Sequence, residues 1–153
     1  MTSSRMGHRY IEEARGRLDL VRLAVTRGRW ATAVREAQEC VELFLKGALR
    51  LVAVEPSRVH DVADLLRRES NRFPDWFGGK VEYLASISTE MAGDRGIAFY
   101  GDERQELGPQ DLFDESDARR ALQNAEFVAE TCGRLMAAII DAGRDGERQG
   151  SGE

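Results

Sequence analysis

From Trp30 to Leu51 the apolar residues of this chain step by three and four without a slip: Trp30, Ala33, Ala37, Val41, Phe44, Ala48 and Leu51. That spacing returns each side chain to one face of a helix of 3.6 residues per turn, and it excludes a strand over the stretch. Val34, Leu45, Leu49 and Val52 widen the stripe. A stripe so broad needs apolar partners on several sides, which predicts a helix at the centre of a bundle. On its polar face Glu42 precedes Lys46 by one turn, the favourable order for an i, i+4 ion pair.

The same period governs most of the chain. Tyr10, Ala14, Leu18, Val21 and Val25 mark a first helix, and Gly28 is suited to end it. After Pro56, either Ser57 or Asp61 can cap a short third helix, "DVADLLRRES". "NRFPDWFGGK" reads as a turn-rich connection that presents its aromatics to solvent. Val81, Leu84, Ser88 and Met91 lie on one face of a fourth helix. Asp114 or Ser116 can cap a fifth, with Ala118, Leu122, Ala125, Val128, Cys132, Leu135 and Ile139 as its stripe. No strand pattern and no repeat of 20–50 residues is found. The expected fold is all-α: an up-and-down bundle of four main helices with the short third helix across one end. One domain over residues 1–142 is expected, followed by an unstructured, Gly- and charge-rich tail over 143–153.

Several functions are disfavoured at this level. A net charge of −5 argues against a protein that coats a nucleic-acid backbone, although Arg5, Arg9, Arg15, Arg17, Arg22, Arg27 and Arg29 crowd the first thirty residues. His8 and His60 are not spaced for a di-iron bundle, and two scattered cysteines, Cys40 and Cys132, do not make a zinc site. Both cysteines fall within apolar stripes and read as small buried hydrophobes. "GDRG" and "FGGK" lack the surroundings of a phosphate-binding glycine loop, and no Ser/His/Asp constellation can be argued. "HDVADLLRRES" is too acidic for a DNA-reading helix. Neither metal nor cofactor is expected. With no leader-like apolar core and no apolar run near the ~20 residues of a membrane span, a soluble cytoplasmic protein without membrane attachment is expected.

The fourth-helix ladder holds the most informative feature. Continued by four and three it passes through Arg95, Ala98 and Asp102, so an apolar stripe turns ionic at "DRGIAFYGDE". A guanidinium on an inward stripe needs partners, because it cannot shed its charge. Two readings stand at this point: a buried ion pair to Asp94, Asp102 or Tyr100, or a fork that grips phosphate at a cleft.

Taken together, these segments resemble the HEPN domain family, the higher-eukaryote and prokaryote nucleotide-binding domains. The family's "A-x-x-x-A-Q-x-x-x-E-x-x-x-K" central helix is matched by Ala33, Ala37, Gln38, Glu42 and Lys46. Its "H-D-L-x-x-L-L" third helix is similar to the segment carrying His60, Asp61, Leu65 and Leu66, and its "R-x-x-A-x-Y-x-D" segment falls on Arg95, Ala98, Tyr100 and Asp102. "DARRALQNAEFVAETCGRL" resembles the closing helix. The resemblance implies a helical bundle, generally a homodimer, and often a toxin or a partner of a minimal nucleotidyltransferase in a prokaryotic toxin–antitoxin pair. Active members are metal-independent endoribonucleases with R-x(4–6)-H, in which Arg stabilises phosphate and His does acid–base work. Here Tyr100, Gly101 and Asp102 stand where the histidine should fall, and Gly96 follows the arginine. A tyrosine hydroxyl ordinarily titrates near ~10 and is a poor general base at neutral pH. The resemblance therefore implies a module that binds nucleotide, RNA or a nucleotidyltransferase through Arg95, Tyr100, Asp102 and His60. Two alternatives are an endoribonuclease toxin using Arg95 with Tyr100 or His60, and a purely structural dimeric interaction protein.

Overall fold

The computed structural model describes residues 3–56 and 58–150, and all side chains in that range except those of residues 95, 96, 98 and 99. Four long helices form the bundle: α1 (Ser3–Thr26), α2 (Trp30–Leu51), α5 (Val81–Tyr100) and α7 (Glu115–Gly150). Shorter pieces join them: α3 (Ala63–Arg68), a 3₁₀ turn at Ser70–Arg72, α4 (Asp75–Gly78) and α6 (Pro109–Leu112). No strand occurs among the described residues.

The central position expected for the Trp30–Leu51 helix is what the packing shows: α2 lies against α1, α5 and α7. Its residues Val34, Ala37, Cys40, Val41, Phe44, Leu45, Ala48 and Leu49 are buried in one continuous core. Each large apolar side chain removed from water there contributes about 1.5–3 kcal/mol. On α1, Tyr10 is only partly buried and Ile11 goes fully inward, so the inner stripe runs through Gly7, Ile11 and Ala14 and passes Tyr10 by. α1 approaches α2 closely enough that a Cβ on Gly7 would sit 2.8 Å from the Gly47 carbonyl oxygen. Glycine at both places lets the two backbones touch.

Local signals end the helices as expected. Gly28 adopts φ 68°. Its N–H bonds to the Val25 carbonyl at 3.1 Å while the Arg29 N–H reaches Ala24 at 2.9 Å, a Schellman closure. Asp114 and Asp117 cap α7 reciprocally: each carboxylate accepts the other's N–H, at 2.9 and 3.0 Å. Asp61 serves the start of α3, accepting the Ala63 N–H at 3.0 Å. Ser57, the other candidate cap, lies outside the described residues.

Two stretches depart from expectation. The aromatics of "NRFPDWFGGK" are not presented to solvent: Phe73 and Phe77 are buried, with ring centroids 4.2 Å apart. The stretch is a 3₁₀ turn plus a helical turn begun at Pro74, too short to show a period, and that turn rotates Phe77 inward. Trp76 packs edge-on to Phe77, and Arg134 of α7 covers its ring at 3.9 Å. The helical backbone of α7 also continues through residues 143–150, every one of them exposed. The last side chains packed on the core are Ile139 and Ile140, so the final turns rest on local hydrogen bonds alone.

Candidate functional site

α5 carries an apolar face through Val81, Leu84, Ile87, Ser88 and Met91, and the chain becomes polar beyond it. Asp94 is the first polar group on that path. It borders a small cavity of about 40 Å³ with Glu90, Met91, Asp117, Arg120 and Asn124. Partial burial pushes the Asp94 carboxyl up, Glu90 and Asp117 push the same way, and only Arg120 opposes them. Arg120 is itself engaged, 2.9 Å from the Glu90 carboxylate. The backbone of Arg95 continues α5, and its side chain lies outside the described residues, as does that of Ala98.

α5 stops at Gly101, which has φ 78° and ψ −157°. The chain then folds back on itself. Asp102 and Leu107 exchange backbone hydrogen bonds at 2.9 and 3.0 Å. The Asp102 carboxylate accepts the N–H groups of Arg104 and Gln105 at 3.1 and 3.3 Å. Asp111 accepts the Gly108 N–H at 2.9 Å, which starts α6. Residues 101–111 thus form a knot tied by the Asp102–Leu107 backbone pair and by the Asp102 and Asp111 carboxylates. Tyr100, at its edge, is 71% exposed, whereas Asp102 serves the turn that contains it.

His60 lies in a different part of the molecule. Its Nδ1 is 2.6 Å from Oε1 of Glu42 on α2, and the other oxygen of that carboxylate is 3.7 Å from Lys46. The Glu42–Lys46 pair expected from spacing is therefore present, with the imidazole added from a distant segment. Asp61 beside it fastens α3 to α5, accepting hydrogen bonds from Ser88 and Thr89 at 2.9 Å each. Ser88 accepts the Val62 N–H at 3.0 Å. Burial pushes the Asp61 carboxyl up, but the bonds from Ala63, Ser88 and Thr89, with Arg67 nearby, outweigh it and hold the carboxyl below its ordinary range. This anchor grips α5 six residues before Arg95, roughly 9 Å along the helix at ~1.5 Å per residue. Tyr100 and Asp102 thus flank one glycine at the end of α5, while His60 belongs to the α2–α3 side.

Other chemistry is limited by burial. Desolvation pushes the Cys40 thiol up to about 12, against the opposing pull of Arg17 and Arg22, and its Sγ donates to the Ala14 carbonyl at 3.4 Å. Burial pushes Cys132 up as well, so neither thiol offers an accessible thiolate. Among the described residues no three His, Cys, Asp or Glu side chains gather to hold a metal ion. None of their helices is long and apolar enough to cross a membrane. The roles of Asp61, Ser88 and Asp94 were not visible as a site in the sequence, since their partners come from other helices.

An all-α bundle with a broad central helix and a third long helix that turns polar and ends at a glycine defines a class of small helical modules. The HEPN domain model matches residues 8–135, and the chain belongs to the HEPN family. The structure is also similar to the crystal structure of TT1696 from Thermus thermophilus. The TM-score is 0.66 at 20% identity, covering 88% of this chain and 99% of that one, a likeness of fold. No curated protein matches the sequence.

Proposed function

We propose that this chain is a HEPN module that binds a phosphate-bearing ligand, nucleotide or RNA, at the end of α5 without cleaving it. Arg95 would supply the bidentate phosphate contact, Tyr100 an exposed aromatic face, and the 101–111 knot a rigid wall. The observation that carries the choice of binding over cleavage is the engagement of Asp102. Its carboxylate stands where the family's base should fall, and its Oδ1 is engaged by the N–H groups of Arg104 and Gln105, which fixes it in the turn. His60 faces Glu42 instead, on the α2–α3 side.

Membership of the family further supports a homodimer acting in the cytoplasm. The same membership supports a pairing with a minimal nucleotidyltransferase in a toxin–antitoxin-type system. The test is a metal-free incubation with labelled single-stranded RNA, read for both binding and cleavage. Binding without cleavage, weakened in Arg95→Ala, is the expected result. Cleavage by the wild type that disappears in Arg95→Ala would replace this reading with the endoribonuclease one, and binding untouched by Arg95→Ala would refute the site.

A further inference from the structure

We propose a second phosphate seat: the groove between the α1–α2 corner and the start of α6, lined by Arg29, Trp30, Thr32, Arg35, Pro109 and Gln110. Its ligand is a phosphate carried by a free nucleotide or by an RNA strand. The inference rests on the phosphate-binding reading above and extends it to residues outside the family's motif.

Charge is the first argument. The groove holds two guanidinium groups and no carboxylate among its lining residues, in a chain of net charge −5. The cleft between α1 and α7 differs, carrying Asp19, Glu126 and Glu130, while the one beside the end of α2 sets Lys46, Arg50 and Arg58 around Glu55. Arg29 is exposed, and its guanidinium meets no carboxylate among the described residues. Arg35 lies 3.2 Å from one oxygen of Glu36, whose other oxygen is 3.6 Å from Arg17. Arg17 has its own partners in Glu39 at 2.7 Å and Glu13 at 3.6 Å, so the exposed Arg29 guanidinium is the charge the groove offers.

Shape and position are the second argument. The groove encloses about 540 Å³, within the range of small-ligand sites. Trp30 is held at its edge by packing against Ala24, Val25, Ala33 and Ala118, so a partly exposed indole is available for a base to stack on. The far wall, Pro109 and Gln110, is continuous with the 101–111 knot. Gly101 lies so close to it that a Cβ there would sit 3.0 Å from the Pro109 nitrogen. The groove and the end of α5 therefore share one wall, the 101–111 segment.

The test is fluorescence anisotropy of the full chain with fluorescein-labelled single-stranded RNA over a salt series, with AMP and inorganic phosphate as competitors. Arg29→Gln should bind about tenfold more weakly and lose about one unit of salt slope. Thr32→Glu should weaken binding at least as much by placing a carboxylate in the wall. Its fold should survive, because Thr32 is exposed and an acid suits the first turn of a helix; a thermal melt checks this. Displacement of RNA by AMP identifies the nucleotide as ligand, and resistance to AMP and phosphate identifies the strand. Wild-type affinity in both groove variants, with Arg95→Ala impaired, overturns the groove and leaves the α5 site standing. The reverse pattern keeps the groove and removes Arg95. A wild type that binds neither RNA nor AMP overturns both.

Discussion

Replacing Gly101 by alanine should unlock the polar end of α5. At φ 78° and ψ −157° the residue occupies a region open in practice only to glycine, worth about 1–3 kcal/mol of strain for any other residue. The added Cβ would also meet the Leu107 carbonyl oxygen at 2.3 Å and the Gly108 carbonyl carbon at 2.9 Å. These are backbone atoms that no rotamer change can move away. Displacing Leu107 also breaks its hydrogen bond from the Asp102 N–H, a net ~0.5–1.5 kcal/mol. The sum is about 2–4 kcal/mol, or roughly 5–15 °C in Tm for a domain of this size. Local opening of the knot limits the loss, so the sharper assay is hydrogen exchange, in which the Asp102 and Leu107 amides should lose protection together. Gly93→Ala is the control, since a Cβ there meets nothing within 4 Å in the same helix. It should stabilise by about 0.5–1 kcal/mol. Unchanged amide protection and Tm in Gly101→Ala would refute the reasoning.

Four further outcomes are expected. Gly47→Ala should destabilise by about 1–3 kcal/mol in denaturant unfolding, because its Cβ would press on Ile11 at 2.8 Å and on the Gly7 carbonyl oxygen at 3.1 Å. Asp61→Asn should lower stability at neutral pH. The folded carboxyl is held low, so its contribution is present above the ordinary ~3.9 and lost as pH falls through the lower folded value; melts from pH 7 to 2 should show the two proteins converging. Asp94→Asn should do the opposite. A raised carboxyl favours the folded state below the ordinary pKa and loses that advantage as pH rises through the folded one, so the variant should melt higher at pH 7 and like the wild type near pH ~3. Cys40 and Cys132 should react with an aromatic disulfide reagent only at the rate of unfolding, since both are fully buried; a fast native phase would contradict their placement.

Helical periodicity is local information, and the sequence by itself determined the four long helices, the central rank of α2 and the closures at Gly28, Asp61 and Asp114. Each needs only residues within a turn or two of one another. Asp102 and Tyr100 were likewise legible as the polar end of α5. Only the tertiary structure decided what came from residues far apart in the chain. It buried Phe73 and Phe77, set His60 on Glu42 eighteen positions away, tied Asp61 to Ser88 and Thr89, and drew Asp94 toward Asp117. It also joined Arg29 and Arg35 to Pro109 and Gln110 around one groove. A period reveals which face of a helix turns inward; what that face meets depends on how the helices cross, and that is fixed by core packing across the whole chain.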